Sequence, residues 1–440
     1  MSSIVNHAPR FSSTEAEKIA ADIFGVGGVF RQLPSERDQN YHIRTQDQNE
    51  YVLKIANKSE DREALEFQNQ AMIHVNHHKD LFPGDMQVCP QICTTRQGEM
   101  IDTVSTPEGN RHYVRMLSYL PGKPFAKARP HDDALLKSLG WFMGSLDAAL
   151  SSFDHPAAHR KFHWDLKEAS TIIQSLTEAI PEEENQTMIM GYLNHYLSHT
   201  QPRLNRLRQS VIHNDGNDYN VLVTPENPWQ NRVDSVIDYG DMVYTHTVNE
   251  LAIVCAYAMM EKKDPLAAAK IVVAGYHQAY PLEEVELSVL FDLLLMRLCL
   301  SVCQSAYQFR TAPDNAYLQI SERPAWTLLG QLSSIHPRMA EYHFRDACRM
   351  PPVPQAKRIT AWLKEKKDHF ESIVDPAPGK DVSIVLDLSV ESPLVNGVAI
   401  QNDAADMSRA IFGQMHQNGA VIGNGCYDEA RAIYVSDAYR

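Results

Sequence analysis

The seven cysteines of this 440-residue chain are odd in number and form no Cys-x-x-Cys pair. That argues against a disulfide framework and against a zinc-finger ligand set. Cys89, Cys93, Cys255, Cys299, Cys303, Cys348 and Cys426 suit the reduced, mostly buried thiols of a cytoplasmic protein. Cys299 and Cys303, one helical turn apart in LMRLCLSVCQSA, read as packing residues. There is no Lys/Arg block either: the formal charge is −14, and KRITAWLKEKK near residue 360 is a mixed helix face. Nucleic acid is therefore not the expected partner, because binding a phosphate backbone needs a basic surface. An acidic cleft suits a cationic substrate instead. No apolar run reaches membrane-spanning length, and MSSIVNHAPRFSS has no apolar leader core, so neither a membrane association nor secretion is expected. Internal repeats and low-complexity blocks are absent too.

With 44% apolar and 22% charged residues, the chain can fill two or three ordinary globular domains. Ser12 and Glu15 form a Ser-x-x-Glu helix start, apolar positions follow at helical spacing, and Gly25 stops the helix. Three strands are predicted in GGVFRQL, NYHIRT and EYVLKIA, then a helix opened by Ser59 over EDREALEFQNQAMIHVNHH. Further strands fall in QVCPQIC and HYVRMLSYL. This β-β-β-α-β-β order makes a small antiparallel α+β lobe over residues 1–117. Residues 118–122 form a connector ending at Pro121-Gly122. From there to residue 350 the pattern is mainly helical, with helices predicted at 132–151, 165–178, 184–207, 247–261, 264–280, 282–310 and 323–333. Beyond PPVP, residues 351–440 read as a separate α/β piece: a helix at 355–372, an apolar strand VSIVLDLSV and a helix at 403–416.

The chemistry sits in two stretches, HNDGNDYN from His213 to Asn220 and IDYGD from Ile237 to Asp241. Asp215, Asn220 and Asp238 follow the order and spacing of phosphoryl transfer, in which one carboxylate accepts the proton of an attacking hydroxyl while an amide and a second carboxylate hold Mg²⁺. The intervening VLVTPENPWQNRVDSVI reads as a hairpin that brings both loop ends together. The structural alternative is that Asp and Asn cluster there because they favour turns. Lys54 is a strand ammonium among apolar neighbours, suited to holding nucleotide phosphates; an exposed edge lysine is the plain alternative. Glu63, Glu66 and Gln70 on the next helix are each placed to face it. The connector PSERDQ contains no glycine, so no Gly-rich phosphate fingerprint is present, although its backbone amides and the Ser35 hydroxyl are able to contact phosphate. Asn40 is either a phosphate contact or a turn cap. His213 reads as a buried imidazole bonded to loop backbone. Asp218 reads as a turn former, Asp241 as a metal-side or solvated carboxylate, and Thr247 with Glu250 as a capping box. Trp164-Asp165 lines an acceptor pocket or caps a helix.

VIHNDGNDYNVLV and VIDYGD resemble the aminoglycoside phosphotransferase and choline-kinase superfamily, with its two-lobed protein kinase-like fold. LPSERDQNYHI, YVLKIAN, VRMLSYLPGKP and HWDL are closer still to hydroxylysine kinases. They also resemble the kinase module of bacterial fusions to an M23-type peptidase domain and a class III aminotransferase. The likeness spans roughly residues 10–350. It implies ATP or GTP between a small β lobe and a large helical lobe, with the base against Ser118 to Leu120. It further implies Asp215 as base, Asn220 and Asp238 as Mg²⁺ ligands, and Lys54 on the phosphates. The aminoglycoside enzymes place the glutamate partner of Lys54 near Gln70 and the hydroxylysine kinase-like sequences near Glu66, which is favoured. Residues 351–440 resemble the junction between kinase and peptidase modules, so peptidase-like and aminotransferase-like partners are implied. No HxxxD zinc ligand set is present, and peptidase activity is not expected. The activity implied is transfer of a γ-phosphoryl group to the hydroxyl of an amino alcohol or hydroxylated amino acid. The alternatives are an aminoglycoside phosphotransferase and a nucleotide-binding regulatory module without turnover.

Overall fold

The amino-terminal helix begins where the Ser-x-x-Glu pattern places it. The Ser12 hydroxyl accepts from the Glu15 amide while the Glu15 carboxylate accepts from the Ser12 amide, and helix α1 runs Ser13–Ile19. A wider turn, Ala20–Phe24, closes on Gly25 at φ 71°, a left-handed conformation that favours glycine. The computed structural model describes residues 9–352 apart from 36, 85, 107–108, 228–229 and 312–321, and beyond them three two-residue strands. It divides into two units, residues 1–169 with 208–257 and residues 170–207 with 258–440.

In the first unit, β1 (Val29–Leu33), β2 (Gln39–Arg44) and β3 (Glu50–Ile55) form an antiparallel meander. Helix α2 (Arg62–His77) follows, then β4 (Ile92–Cys93), β5 (Asp102–Ser105) and β6 (Arg111–Ser118). The six-stranded sheet runs β1-β2-β3-β6-β4, with β5 also pairing β6. Strand β5 falls in a stretch that the sequence presents as a polar loop; it pairs with β6 from Asp102↔Val114 to Ser105↔Arg111. The two-residue period of the strands sorts the side chains. Tyr41, Ile43, Leu53, Ile55, Val114 and Met116 turn to one face and pack with Phe11, Ala16, Ala20 and Phe24. On the other face, Asn40, Lys54 and Arg115 are successive cross-strand partners. This polar row carries the site. Asn40 therefore lies inside a ladder and does not cap the turn.

Helix α2 starts later than expected, because Asp61 supplies the cap to Glu63 while the Ser59 hydroxyl bonds Asn57. The connector leads into β7 (Lys123–Pro124), which pairs with β9 (Val221–Asn227), itself the hairpin partner of β10 (Gln230–Val236). The anticipated hairpin thus forms. Beside it, β8 (Gln209–Ile212) pairs with β11 (Val243–His246). Helix α3 (Asp133–Leu150) covers β10, with the Ser138 hydroxyl accepting from the Val233 amide at 2.8 Å.

The remaining described segments, which include the second unit, are mainly helical, and the helix that starts at Val248 begins in the first unit. The segment expected at 165–178 is reduced to α4 (Ala169–Leu176), because Asp165 accepts the Lys167 amide in a turn instead of extending the helix. The segment expected at 184–207 is α5 (Glu183–His195) followed by a wide turn and a tight one. Pro202 cannot donate to a helical ladder, so regular helix ends before it. Helices α6 (Val248–Met259), α7 (Pro265–Ala279), α8 (Glu284–Thr311) and α9 (Glu322–Leu332) match expectation within two residues at each end, and α10 (Pro337–Ala347) is additional. Helix α10 is joined to α7 by a 2.6 Å Lys270–Asp346 ion pair. No helix among the described residues is long and apolar enough to cross a membrane. The helices expected at 355–372 and 403–416 lie outside the described residues. Leu386–Asp387, within the expected strand, pairs with Leu394–Val395, which pairs with Val398–Ala399.

Two adjacent glycines at the entry to β1 give a sharp test of this sheet. A Cβ on Gly28 would stand 2.2 Å from the Arg44 carbonyl oxygen, whereas one on Gly27 meets nothing within 4 Å. Gly28→Ala is expected to destabilise the protein by about 1–3 kcal/mol through backbone displacement, and Gly27→Ala by less than about 0.5 kcal/mol. Urea denaturation of the pair checks this; equal midpoints would contradict the register.

Candidate active site

His213, Asn214 and Asp215 leave β8 in a tight loop whose shape is enforced from beneath. Asn214 adopts φ 64°, sparsely populated for a residue with a side chain but tolerated by asparagine. Its amide donates to Glu250 Oε2 at 2.8 Å and its Nδ2 to the Asp241 carbonyl at 3.1 Å. Glu250 is fully buried, so its carboxylate serves as a fixed acceptor for the loop. The expected capping box is therefore not its role: the Thr247 hydroxyl pairs with Ser210, and the Thr247 amide donates to the Arg208 carbonyl at 3.0 Å. Gly216 has no room for a side chain, since a Cβ would stand 2.8 Å from Glu250 Oε1 and 2.9 Å from Met143 and Val254.

His213 is wholly buried, its Nε2 donating to the Ile237 carbonyl at 3.1 Å and its Nδ1 accepting from the Asp215 amide. Burial pushes its pKa down to about 4 against the opposing pull of Asp238, the Ile237 carbonyl and Asp241. The imidazole is thus a neutral brace between the two loops, as read from the sequence.

Asp215 is aimed by two amides. Asn217 Nδ2 donates to its Oδ1 at 2.9 Å, and Asn220 Nδ2 to its Oδ2 at 2.6 Å and to its carbonyl at 3.1 Å. The Ile237 amide donates to the Asn220 carbonyl at 3.0 Å, which sets Asn220 beside the strand end carrying Asp238. Asp238 sits at φ 65°, ψ 73°, left-handed backbone at the end of β10. Lys54 Nζ lies 3.5 Å from Asp238 Oδ1. The Asp238 carboxyl is held well below the usual carboxylate range, first by Lys54 and against burial, with Arg37, His213 and Arg115 assisting. It nevertheless keeps 51% of its side-chain exposure, so the carboxylate can be reached from solvent.

Both amide protons of Asn220 used here go to Asp215, which leaves its carbonyl oxygen as a donor to a cation. With Asp238 this makes one amide and one carboxylate oxygen. Among the described residues no group of three or more His, Cys, Asp or Glu is placed to hold a metal. Such a sparse oxygen set fits Mg²⁺, which keeps waters and substrate phosphates as its remaining ligands. It does not fit zinc.

The other expected residues divide. The Ser35 hydroxyl accepts the Asp38 amide at 3.2 Å, fixing the β1–β2 turn. Asn40 stands opposite Lys54 in the ladder, with Oδ1 buried and unpartnered. Ser118 ends β6, exchanging bonds with Gln91, and Leu120 is buried just beyond. Glu66 is a correction: it pairs with Arg62 at 2.7 Å on the exposed side of α2, and the carboxylate found at Lys54 is Asp238. The α2 face that meets the sheet presents Gln68 and Asn69, which take the Arg115 guanidinium. Asp165 is buried, accepting from Thr245 at 2.7 Å and from the Lys167 amide.

Sequence reasoning missed a ring of charges around the Asp238 loop. Arg37 Nη2 contacts Asp241 Oδ1 at 2.6 Å, and Arg160 Nη2 donates to the Gly240 and Met242 carbonyls at 2.7 and 2.9 Å. Asp241 is only 7% exposed, so the solvated reading fails. The Glu60 carboxyl is pushed up by burial and by Asp38 against the pull of Arg37, Arg160 and Arg115. The only signal for Arg37 was its place in the connector; Arg160 and Glu60 gave none.

Comparison with known proteins gives the family and the fold. Residues 29–284 match the family described as the phosphotransferase enzyme family. Hydroxylysine kinase of Mus musculus is 30% identical over 355 residues, covering 76% of this chain and 92% of the relative. That of Xenopus laevis is 31% identical over 346 residues, covering 74% and 91%. Among solved structures, amicoumacin kinase hAmiN in complex with AMP-PNP, Ca²⁺ and Ami has the same fold: TM-score 0.55 at 15% identity, over 78% of this chain and 96% of that one.

A pH dependence follows from the buried imidazoles. His213 and His246 are both lowered from 6.5 to about 4, each mainly by burial. Between those values the unfolded chain binds a proton that the folded chain refuses. Stability should fall as pH drops from about 6.5 to 4, by on the order of 1 kcal/mol per pH unit for each histidine. Denaturation at pH 7 and pH 5 checks this, and His246→Gln should flatten the dependence; an unchanged slope would contradict it.

Proposed function

This chain belongs to the phosphotransferase enzyme family, and on that premise we propose that it is a small-molecule kinase. It moves the γ-phosphoryl group of ATP or GTP to the hydroxyl of an amino alcohol or a hydroxylated amino acid such as hydroxylysine. The observation that carries the reading is the convergence of Lys54 on Asp238 at 3.5 Å, with Asn220 bonded to Asp215 at 2.6 Å in the adjoining loop.

The roles follow from the chemistry available at each atom. Asp215, oriented by Asn217 and Asn220, accepts the proton of the acceptor hydroxyl as its oxygen bonds to the γ-phosphorus. The bond from that phosphorus to the bridging oxygen breaks, and the nucleoside diphosphate leaves with the electron pair. Lys54 neutralises the α- and β-phosphates once Asp238 is engaged elsewhere. Asn220 and Asp238 would hold Mg²⁺, which would offset the charge of the nucleotide phosphates. Ser35 faces the phosphates from the β1–β2 turn and Asn40 from β2 beside Lys54, and the base lies against Ser118 to Leu120. Most of the acceleration comes from placement and charge, because the protein itself forms no covalent bond in this chemistry. The acidic balance of the chain, −14, favours an acceptor bearing an ammonium group. Hydroxylysine is the acceptor named for the most similar relatives quoted above. We place the enzyme in the cytoplasm, where ATP and Mg²⁺ are available. The lobe boundary falls at residues 118–122, with residues 351–440 as a junction towards peptidase-like or aminotransferase-like modules.

A screen of hydroxylysine, ethanolamine and related amino alcohols with MgATP and MgGTP, read by ³¹P NMR, tests the proposal. Acceptor-dependent formation of a phosphomonoester is expected, and Asp215→Asn should cut kcat by at least about a hundredfold. Nucleotide-bound, folded protein that phosphorylates none of them, or full activity in Asp215→Asn, would overturn it.

A further inference from the structure

The β1–β2 turn is a phosphate-covering turn without glycine, and its one cation is spent on a carboxylate. Arg37 stands at this turn, yet its guanidinium reaches 2.6 Å to Asp241, three residues beyond Asp238. A Cβ on Gly240 would lie 3.4 Å from Asp238 Oδ1 and 3.7 Å from Arg37 Nη2, so the guanidinium lies over the loop that carries the acidic metal donor. Lys54 reaches the same Asp238 oxygen from the sheet. Lys54 therefore holds Asp238 while Arg37 holds its near neighbour Asp241 on the same loop.

Their backbones are held in common. Asn57, two residues past the end of β3, donates its Nδ2 to the Arg37 carbonyl at 3.2 Å, and its amide donates to Asp38 Oδ1 at 3.1 Å. The turn is thus anchored while the Arg37 side chain stays 36% exposed. Asp241 is held independently: its carbonyl takes Asn214, and Arg160 grips the carbonyls on either side of it. Only the Arg37 side chain has to move for the pair to part.

We propose that Arg37 is a binding residue for the transferable phosphate: it exchanges Asp241 for the γ-phosphate of the metal–nucleoside triphosphate, and Asp241 is the counter-ion that parks it in the empty site. This rests on the kinase reading above. Charge dictates the exchange. A metal ion at Asp238 satisfies that carboxylate and releases Lys54, while a magnesium–triphosphate arrives with a surplus of about two negative charges that competes with Asp241 for Arg37. Lys54, rooted in the sheet, serves the α- and β-phosphates. Arg37, already on the metal-donor loop, meets the outermost phosphate, where its planar fork takes two oxygens at once.

The competing interpretation is that Arg37–Asp241 is a strut that only shapes the loop, and the two separate by sign. Calorimetric titration in excess Mg²⁺, with a non-hydrolysable triphosphate analogue and with the diphosphate, is run on wild type, Arg37→Gln and Asp241→Asn. Exchange predicts that Arg37→Gln weakens the triphosphate analogue by about tenfold or more and the diphosphate by less than about twofold. It also predicts that Asp241→Asn, which unparks Arg37, leaves triphosphate affinity equal or higher. A strut predicts that both variants weaken both nucleotides alike, which would overturn the proposal, as would an Arg37→Gln protein with wild-type triphosphate affinity. Thermal denaturation confirms folding, and Arg37→Lys, which keeps charge without the fork, should recover part of the binding if Gln itself perturbs the turn. Wild type that binds neither nucleotide would count against the kinase reading itself.

Discussion

Asp238 is the constraint around which the rest of the site is arranged. Its carboxylate is placed by left-handed backbone at a strand end, kept ionised by Lys54, and left half exposed so that something else can reach it. A surface pair of this kind contributes little to stability. Its importance lies instead in reach: an ionised carboxylate, open to a ligand, with a cation beside it. The buried apparatus exists to hold this geometry: His213 clips the two loops together, Glu250 fixes Asn214, and Arg160 grips the backbone around Gly240.

The division of labour between apolar and polar faces explains why so small a sheet can do this. Strands β2, β3 and β6 send Tyr41, Ile43, Leu53, Ile55, Val114 and Met116 into one core. That burial fixes the register, and a one-residue slip would send Lys54 into the core. The opposite face is thereby committed to the row Asn40–Lys54–Arg115. Arg115 is buried there at the cost of desolvation, and Gln68 and Asn69 of α2 satisfy its guanidinium. Helix and sheet are held together here by polar contacts from Arg115 to Gln68 and Asn69. A phosphoryl-transfer centre gains most from such preorganisation.

Local signals in the sequence carried most of the fold. The capping box at Ser12, the alternation in YVLKIA and the turn in VLVTPENPWQNRVDSVI each have a mechanism within a few residues, and each corresponds to an observed element. Asp215, Asn220, Asp238 and Lys54 were nameable because they match a phosphoryl-transfer pattern, and the structure brings Lys54 to Asp238 and Asn220 to Asp215. What escaped depended on contacts distant in sequence. Glu63, Glu66 and Gln70 are each placed by sequence to face Lys54; only the packed structure shows that Glu66 faces Arg62 while Gln68 and Asn69 take Arg115 of the sheet. Glu250 has the spacing of a cap, and its true partner lies thirty-six residues earlier. Arg37 and Asp241 are separated by 204 residues, so no local pattern reveals their pairing. The strand Asp102–Ser105 was hidden by its polarity, since it pairs through backbone alone at the sheet's margin.

The central claim is that one carboxylate of this site serves the metal and the other serves the acceptor hydroxyl, and binding separates the two without any need for turnover. Affinity for a triphosphate analogue, measured by calorimetry with and without Mg²⁺ in wild type, Asp238→Asn and Asp215→Asn, is the most direct measurement. The account predicts that Mg²⁺ strengthens binding in wild type and in Asp215→Asn, and that this gain disappears in Asp238→Asn. A Mg²⁺ effect that survives loss of Asp238, or that vanishes with Asp215 alone, would contradict it.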